Sequence, residues 1–212
     1  MTVLNALKDN FMRAGYSTTN WGADTEIILD GTTTRRGIIA FNITGLSTVT
    51  SAVLSLYVSN RSAVADKGVV SRMLITDWTE GAGGWNPVVS NWNQYKASTN
   101  WNGGGCSGSG TDYTTTNAVS VSVPARYAWH NFNITNIWND AVGAAQSTLS
   151  LVLNINDENW VSYWSRHYAV DPSLIPKITH DATSGWTHKI FGIAPGKVMT
   201  VAAANIKTIM TK

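Results

Sequence analysis

The 212-residue sequence has a single cysteine, Cys106, so no disulfide can form within the chain. A secreted β-domain of this size would often use at least one. The segment Met1 to Asp9 is broken by Lys8 and Asp9 before an apolar core of signal-peptide length can form, so no export signal is expected. No apolar run approaches the roughly 18 residues of a membrane span, and the expectation is a soluble chain made in the cytoplasm without a membrane partner. Charge is also scarce: 13% of residues are Asp, Glu, Lys or Arg, and the net charge of +2 is too small to predict nucleic-acid binding. The Ala, Leu, Glu and Lys of a helical bundle are thin, which leaves room for few and short helices.

What is present is a strand-and-turn composition. Hydrophobic residues make up 43% of the chain, and the polar surface has to be built from Ser, Thr, Asn and 18 Gly. Between Ser51 and Ser59, Ala52, Leu54, Leu56 and Val58 alternate with Val53, Ser55, Tyr57 and Ser59, the period-two pattern of a half-buried strand. Similar runs occur at 25–29, 37–43, 69–75, 119–123, 129–134, 149–155, 161–165 and 175–179, with turn residues such as Asp30-Gly31, Gly45 and Asp66-Lys67-Gly68 between them. This spacing predicts an all-β, antiparallel β-sandwich. One short helix is expected where Ile134, Ile137, Trp138, Ala141 and Val142 recur at three- and four-residue steps, with Thr135 as N-cap and Gly143 as stop.

Residues 76–117 form an aromatic, glycine-rich stretch too long for a simple connector, carrying Trp78, Trp85, Trp92, Tyr95, Trp101 and Tyr113. It either folds back over one sheet or forms the rim of a binding surface, and the two roles are compatible. Trp85, Trp92, Tyr95 and Trp101 are the candidate ligand-binding residues, because flat aromatic faces match the apolar faces of sugar rings. Cys106 sits in the glycine-rich part, where an exposed thiol is expected, either idle or crosslinking neighbouring copies.

Charge divides the chain unevenly. No acidic residue follows Asp181, whereas Lys189, Lys197, Lys207 and Lys212 do, leaving 11 basic against 13 acidic residues in the body. The sequence therefore divides into a body, 1–181, and a basic tail, 182–212. Within the tail the apolar pairs Ile190/Ile193, Val198/Val201 and Ile206/Ile209 repeat every eight residues, with Lys189 and Lys197 ahead of the first two. Such a strip cannot bury its apolar side alone, so it either docks on a partner, including another copy, or closes this protein's own sandwich as a hairpin.

Paired carboxylates suited to acid–base catalysis would be Asp77 with Glu80 or Asp157 with Glu158, and neither pair makes a catalytic case; no enzymatic activity is expected. His130, His167, His180 and His188 lack metal-ligand spacing, and one cysteine cannot complete an ordinary zinc site. No cofactor is expected, although a structural calcium held by backbone carbonyls leaves no linear motif; Asp24, Asp77 and Asp157 are its candidate ligands.

Several segments together resemble the DNRLRE-type domains, β jelly rolls of bacterial surface proteins, some carbohydrate-binding modules and tailed-phage virion proteins. They are Thr19-Asn20-Trp21-Gly22, Arg35-Arg36-Gly37-Ile38-Ile39, Ser51-Ala52-Val53-Leu54, Trp78-Thr79-Glu80, Trp92-Asn93-Gln94-Tyr95, Phe132-Asn133-Ile134-Thr135 and Tyr163-Trp164-Ser165-Arg166. The resemblance runs from about Ala6 to Thr179 and implies a jelly roll without a common catalytic centre, in which Trp78 and Trp92 are buried and Glu80 and Arg166 make structural bonds. The tail looks like the Lys-apolar repeats near the ends of some tailed-phage structural proteins. With no export signal, the first expectation is a non-enzymatic virion protein of a tailed phage, on head or tail, attached to other virion proteins through its tail. The alternative is a carbohydrate-binding module recognising a surface polysaccharide.

Overall fold

The apolar alternation in Ala52, Leu54, Leu56 and Val58 produces a ten-residue strand that buries all four side chains, and this strand organises the molecule. The computed structural model describes residues 1–31, 34–62, 67–86, 88–155 and 159–181, all within the compact unit Met1–Asp181. The tail residues Lys189, Ile190, Ile193, Lys197, Val198, Val201, Ile206 and Ile209 lie outside the described residues, as do Asp157, Glu158 and His188.

The strands in chain order are β1 (Thr2–Asn5), β2 (Lys8–Arg13), β3 (Thr19–Asn20), β4 (Glu26–Asp30), β5 (Arg35–Asn42), β6 (Ala52–Arg61), β7 (Lys67–Met73), β8 (Gly84–Trp85), β9 (Gln94–Lys96), β10 (Thr99–Asn100), β11 (Tyr113–Ser122) and β12 (Trp129–Asn133). The helix α1 (Thr135–Gly143) follows, then β13 (Thr148–Ile155), β14 (Trp160–Trp164) and β15 (Lys177–His180). Eleven of them join in one antiparallel sheet of order β1-β15-β6-β14-β4-β5-β13-β7-β11, with β12 added beside β6 and β2 beside β5. Strand β6 belongs to both layers. Its first half lies between β15 and β12, and its second half pairs with β14, so the sheet curls until its two halves face one another. The result is the expected all-β antiparallel sandwich with one short helix.

Between the layers lie Phe41, Leu54, Leu151, Phe132, Trp138 and Tyr163, all buried. Each such side chain contributes roughly 1.5–3 kcal/mol by leaving water. His130 is buried among them as a neutral ring: Nε2 donates to the Val121 carbonyl at 3.1 Å, so Nδ1 accepts from the Tyr163 hydroxyl at 2.8 Å. Burial lowers the pKa of His130 to about 4.

The helix buries Ile137, Trp138 and Ala141 as its periodicity predicts, but Thr135 is not its N-cap. Ile134 holds that position without a side-chain bond, and Thr135 is the first helical residue, its hydroxyl accepting from the Ala52 amide at 3.0 Å and donating to Asn133 Oδ1 at 2.7 Å. A tertiary contact to β6 has taken the oxygen that a cap would use.

A second cluster lies on the other face of β2, β5, β13 and β7, where Met12, Ile38, Ala40, Val152 and Met73 are covered by Trp78, Trp101 and Cys106 of the long loop. The loop therefore folds back over the sheet, held by short ribbons in which β8 pairs with β3 and β10 with β9. Its last five residues, 113–117, are already part of β11. Among the described residues no helix is long and apolar enough to cross a membrane.

Candidate functional site

On the face that the loop covers, strand alternation places Arg36, Ser71, Val69 and Asn154 beside Val152, which belongs to the cluster under Trp78 and Trp101. Ser71 stands opposite Val152 and Val69 opposite Asn154 across the β7–β13 pair, so these four form a contiguous floor. Arg36 directly precedes Gly37, which pairs with Leu153 across β5 and β13. Tyr113, Thr115 and Ala118 of β11 supply the opposite wall, enclosing a cleft of about 180 Å³. One guanidinium, two hydroxyls and an amide thus converge over a partly apolar floor with a tyrosine ring at its side. Arg36 is held in place by the loop, donating from Nη1 to the Cys106 carbonyl at 3.2 Å.

The four aromatic residues singled out in the sequence do not form one face. Trp101 is only 5% exposed, and its Nε1 donates to the Asn91 carbonyl at 2.8 Å, so it anchors the loop and has no surface to offer a ligand. Tyr95 packs against it with ring centroids 5.2 Å apart, and both belong to the second hydrophobic cluster. Trp92 is half-buried beneath Gly104 and Gly105, whose backbone lies so close to the indole that a Cβ on either would collide with it. Trp85 alone stands out, 74% exposed on the β3–β8 ribbon opposite Thr19. The residues of the cleft were missed because they carry no compositional signal: they come from four strands and meet only through register.

Cys106 also departs from expectation. It is fully buried, with φ +62°, and burial pushes its thiol pKa up, so it is neither exposed nor placed to crosslink copies.

A second polar cluster joins the loop to the sheet. Glu80 accepts from Arg166 Nε at 2.8 Å and from Arg166 Nη2, and its Oε1 also accepts the Asp9 amide at 2.6 Å. The Arg166 amide donates to Asp9 Oδ2 at 2.7 Å, and His167 Nε2 lies 3.7 Å from Glu80 Oε1. Burial raises the pKa of Asp9 to about 7. Asp9, Glu80 and His167 are the one group of potential metal ligands that the described residues bring together, and none of them is a sequence candidate for calcium. Arg166 already neutralises Glu80, so the cluster needs no cation to balance it. Of those candidates, Asp77 is ion-paired with Lys96, and Asp24 contributes its carbonyl to the Ser165 hydroxyl at 2.5 Å.

The comparison with protein families agrees with a binding role. Residues 1–88, from β1 through β8, match carbohydrate-binding module family 96, a stretch that contains Arg36, Val69 and Ser71 of the cleft together with Trp85. No curated protein matches the chain.

Proposed function

We propose that this protein is a non-catalytic polysaccharide-binding module and that the cleft headed by Arg36 holds the sugar chain. The match of residues 1–88 to a carbohydrate-binding family carries the class of ligand. The cleft supplies chemistry suited to it: the Arg36 guanidinium, the Asn154 amide and the hydroxyls of Ser71 and Thr115 offer donors and acceptors to sugar hydroxyls. Val69, Val152 and the Tyr113 ring offer apolar surface to the C–H faces of the pyranose. Specificity then comes from a few polar groups on a preformed sheet, with little ordering cost on binding. Trp85, exposed at the β3–β8 ribbon, is a further stacking position outside the cleft.

Affinity electrophoresis through gels containing a panel of polysaccharides tests this reading. The wild-type chain is expected to be retarded by at least one polymer. Thr115→Trp, which fills the cleft from an exposed position, and Arg36→Ala should each weaken that affinity at least tenfold. Absence of retardation on every polymer, or retardation unchanged in both variants, overturns it.

A further inference from the structure

The bulge in β11 divides its side chains between two clefts. Pairing with β7 is regular at Tyr113 and Thr114, is lost, and resumes at Val119 in a shifted register, with Asn117 at φ +59°. Thr115 and Ala118 consequently line the Arg36 cleft, whereas Asn117 and Val119 line a different one of about 390 Å³. Its remaining walls are Thr50, ahead of β6, Asn133 at the end of β12, and Thr135 and Asn136 at the start of α1.

The lining is three amides, two hydroxyls and one valine, with no charged side chain. Some of these groups are committed: Asn117 Nδ2 donates to Asp140 Oδ2 at 2.8 Å, and Asn133 Oδ1 accepts from both the amide and the hydroxyl of Thr135. Asn136 is exposed and its side chain makes no hydrogen bond among the described residues, so its carboxamide is available to donate and accept together, as vicinal sugar hydroxyls require. Carboxylates stand on both flanks, Asp140 beside Asn117 and Asp181 bonded to the amide and hydroxyl of Thr50. No cation lies in the lining to offset them, so an acidic sugar is disfavoured and an uncharged one is not. Asn133 of the lining is the last residue of a strip along β12 in which Asn131 and Asn133 are exposed and Trp129 half-buried, its ring under Lys177 Nζ at 4.1 Å, while His130 and Phe132 are buried. That strip ends in an aromatic pair, Trp129 edge-on to Tyr57 with ring centroids 5.2 Å apart.

From these features we infer a second carbohydrate site, for a neutral polysaccharide, in the cleft between the bulge of β11 and the start of α1. It extends the polysaccharide-binding reading and does not depend on the Arg36 cleft being the first site. The module is then bivalent, its two sites sharing β11 as a common wall, and multivalent engagement raises its avidity for a long polymer.

The full-length chain is run in affinity gels containing a β-glucan, a galactomannan, a xylan or an acidic polysaccharide. Asn136→Trp fills the second cleft, Asn136→Ala removes only the amide, and Thr115→Trp fills the first cleft. Asn136→Trp is expected to weaken retention on at least one neutral polymer tenfold or more, with a smaller loss for Asn136→Ala and no change on the acidic one. Wild-type retention of both Asn136 variants on every neutral polymer overturns the second site. So does failure of the wild type to bind any neutral polymer, even where Thr115→Trp abolishes binding to the acidic one and so upholds the first. Loss with Asn136→Trp but not with Thr115→Trp or Arg36→Ala upholds the second site and overturns the first.

Discussion

Arg166 grips both carboxylate oxygens of Glu80, tying the turn after β14 to the base of the Trp-rich loop. Because Glu80 Oε1 also accepts the Asp9 amide, the pair locks three separate segments, and the loop that positions Arg36 is built on this joint. The side chains are 31% and 15% exposed, so solvent screens the pair only in part. Replacing Arg166 with Ala removes the two-pronged counter-charge from Glu80, which stands beside the buried Asp9. A loss of about 2–3 kcal/mol in urea unfolding is expected, with Arg166→Lys recovering only part because it cannot bond in two prongs.

Asp9 gives the stability a pH dependence of known sign. Its pKa is raised to about 7, mainly by burial, so the folded state favours the neutral acid. Its contribution is therefore fully present below the unfolded value of about 3.9 and is lost as pH rises through about 7. The melting temperature of wild type relative to Asp9→Asn should fall between pH 4 and pH 8. A constant difference across that range contradicts the assignment. Comparing the two proteins cancels the contribution of His130, whose lowered pKa acts in the opposite direction between about pH 6.5 and pH 4.

Gly105 is required by both conformation and space. Its φ is +66°, and a Cβ there would strike the Trp92 ring. Gly105→Ala is expected to shift the tryptophan fluorescence and to lower the urea midpoint, whereas Gly143→Ala, where a Cβ meets nothing within 4 Å, should leave both close to wild type.

The Cys106 thiol is enclosed beneath the loop, with its pKa pushed up by burial. In native protein it should resist a thiol reagent such as dithionitrobenzoate and react stoichiometrically in denaturant. Fast reaction under native conditions shows that the loop opens.

Trp138 is fully buried, stacks obliquely on His180 with centroids 4.7 Å apart, and donates from Nε1 to the Ser47 carbonyl at 3.0 Å. Trp138→Ala should cost about 3–5 kcal/mol, read as a lowered unfolding midpoint. It tests the main core independently of the Arg36 cleft.

The nine apolar runs in the sequence each correspond to a strand in the structure, because side chains that alternate against a core write period two directly into the chain. Strand β2 was invisible to that criterion. In Lys8-Asp9-Asn10-Phe11-Met12-Arg13 both faces are buried, and polar residues fill four of the six positions. Asn10 is accommodated by the Ser90 carbonyl and hydroxyl, each 2.9 Å from Nδ2, and by the Trp21 amide, 3.0 Å from Oδ1. Those partners lie in other segments, so no local pattern announces them. Trp101 shows the opposite failure: tryptophan in a glycine-rich loop reads equally well as a platform or as an anchor, and only the sheet beneath it decides.

The sequence by itself determined the all-β class and the short helix, since composition and periodicity express which side chains must leave water; it marked out the long Trp-rich loop but left open whether that loop covers a sheet or rims a binding surface. It also raised the polysaccharide reading, which the match of residues 1–88 supports; the virion reading rests on a tail outside the described residues. Tertiary structure alone decided where a ligand can sit. Arg36, Ser71, Tyr113 and Asn154 come from four strands and converge through register and the bulge in β11, and register is set by pairing between distant segments that no single stretch of sequence encodes.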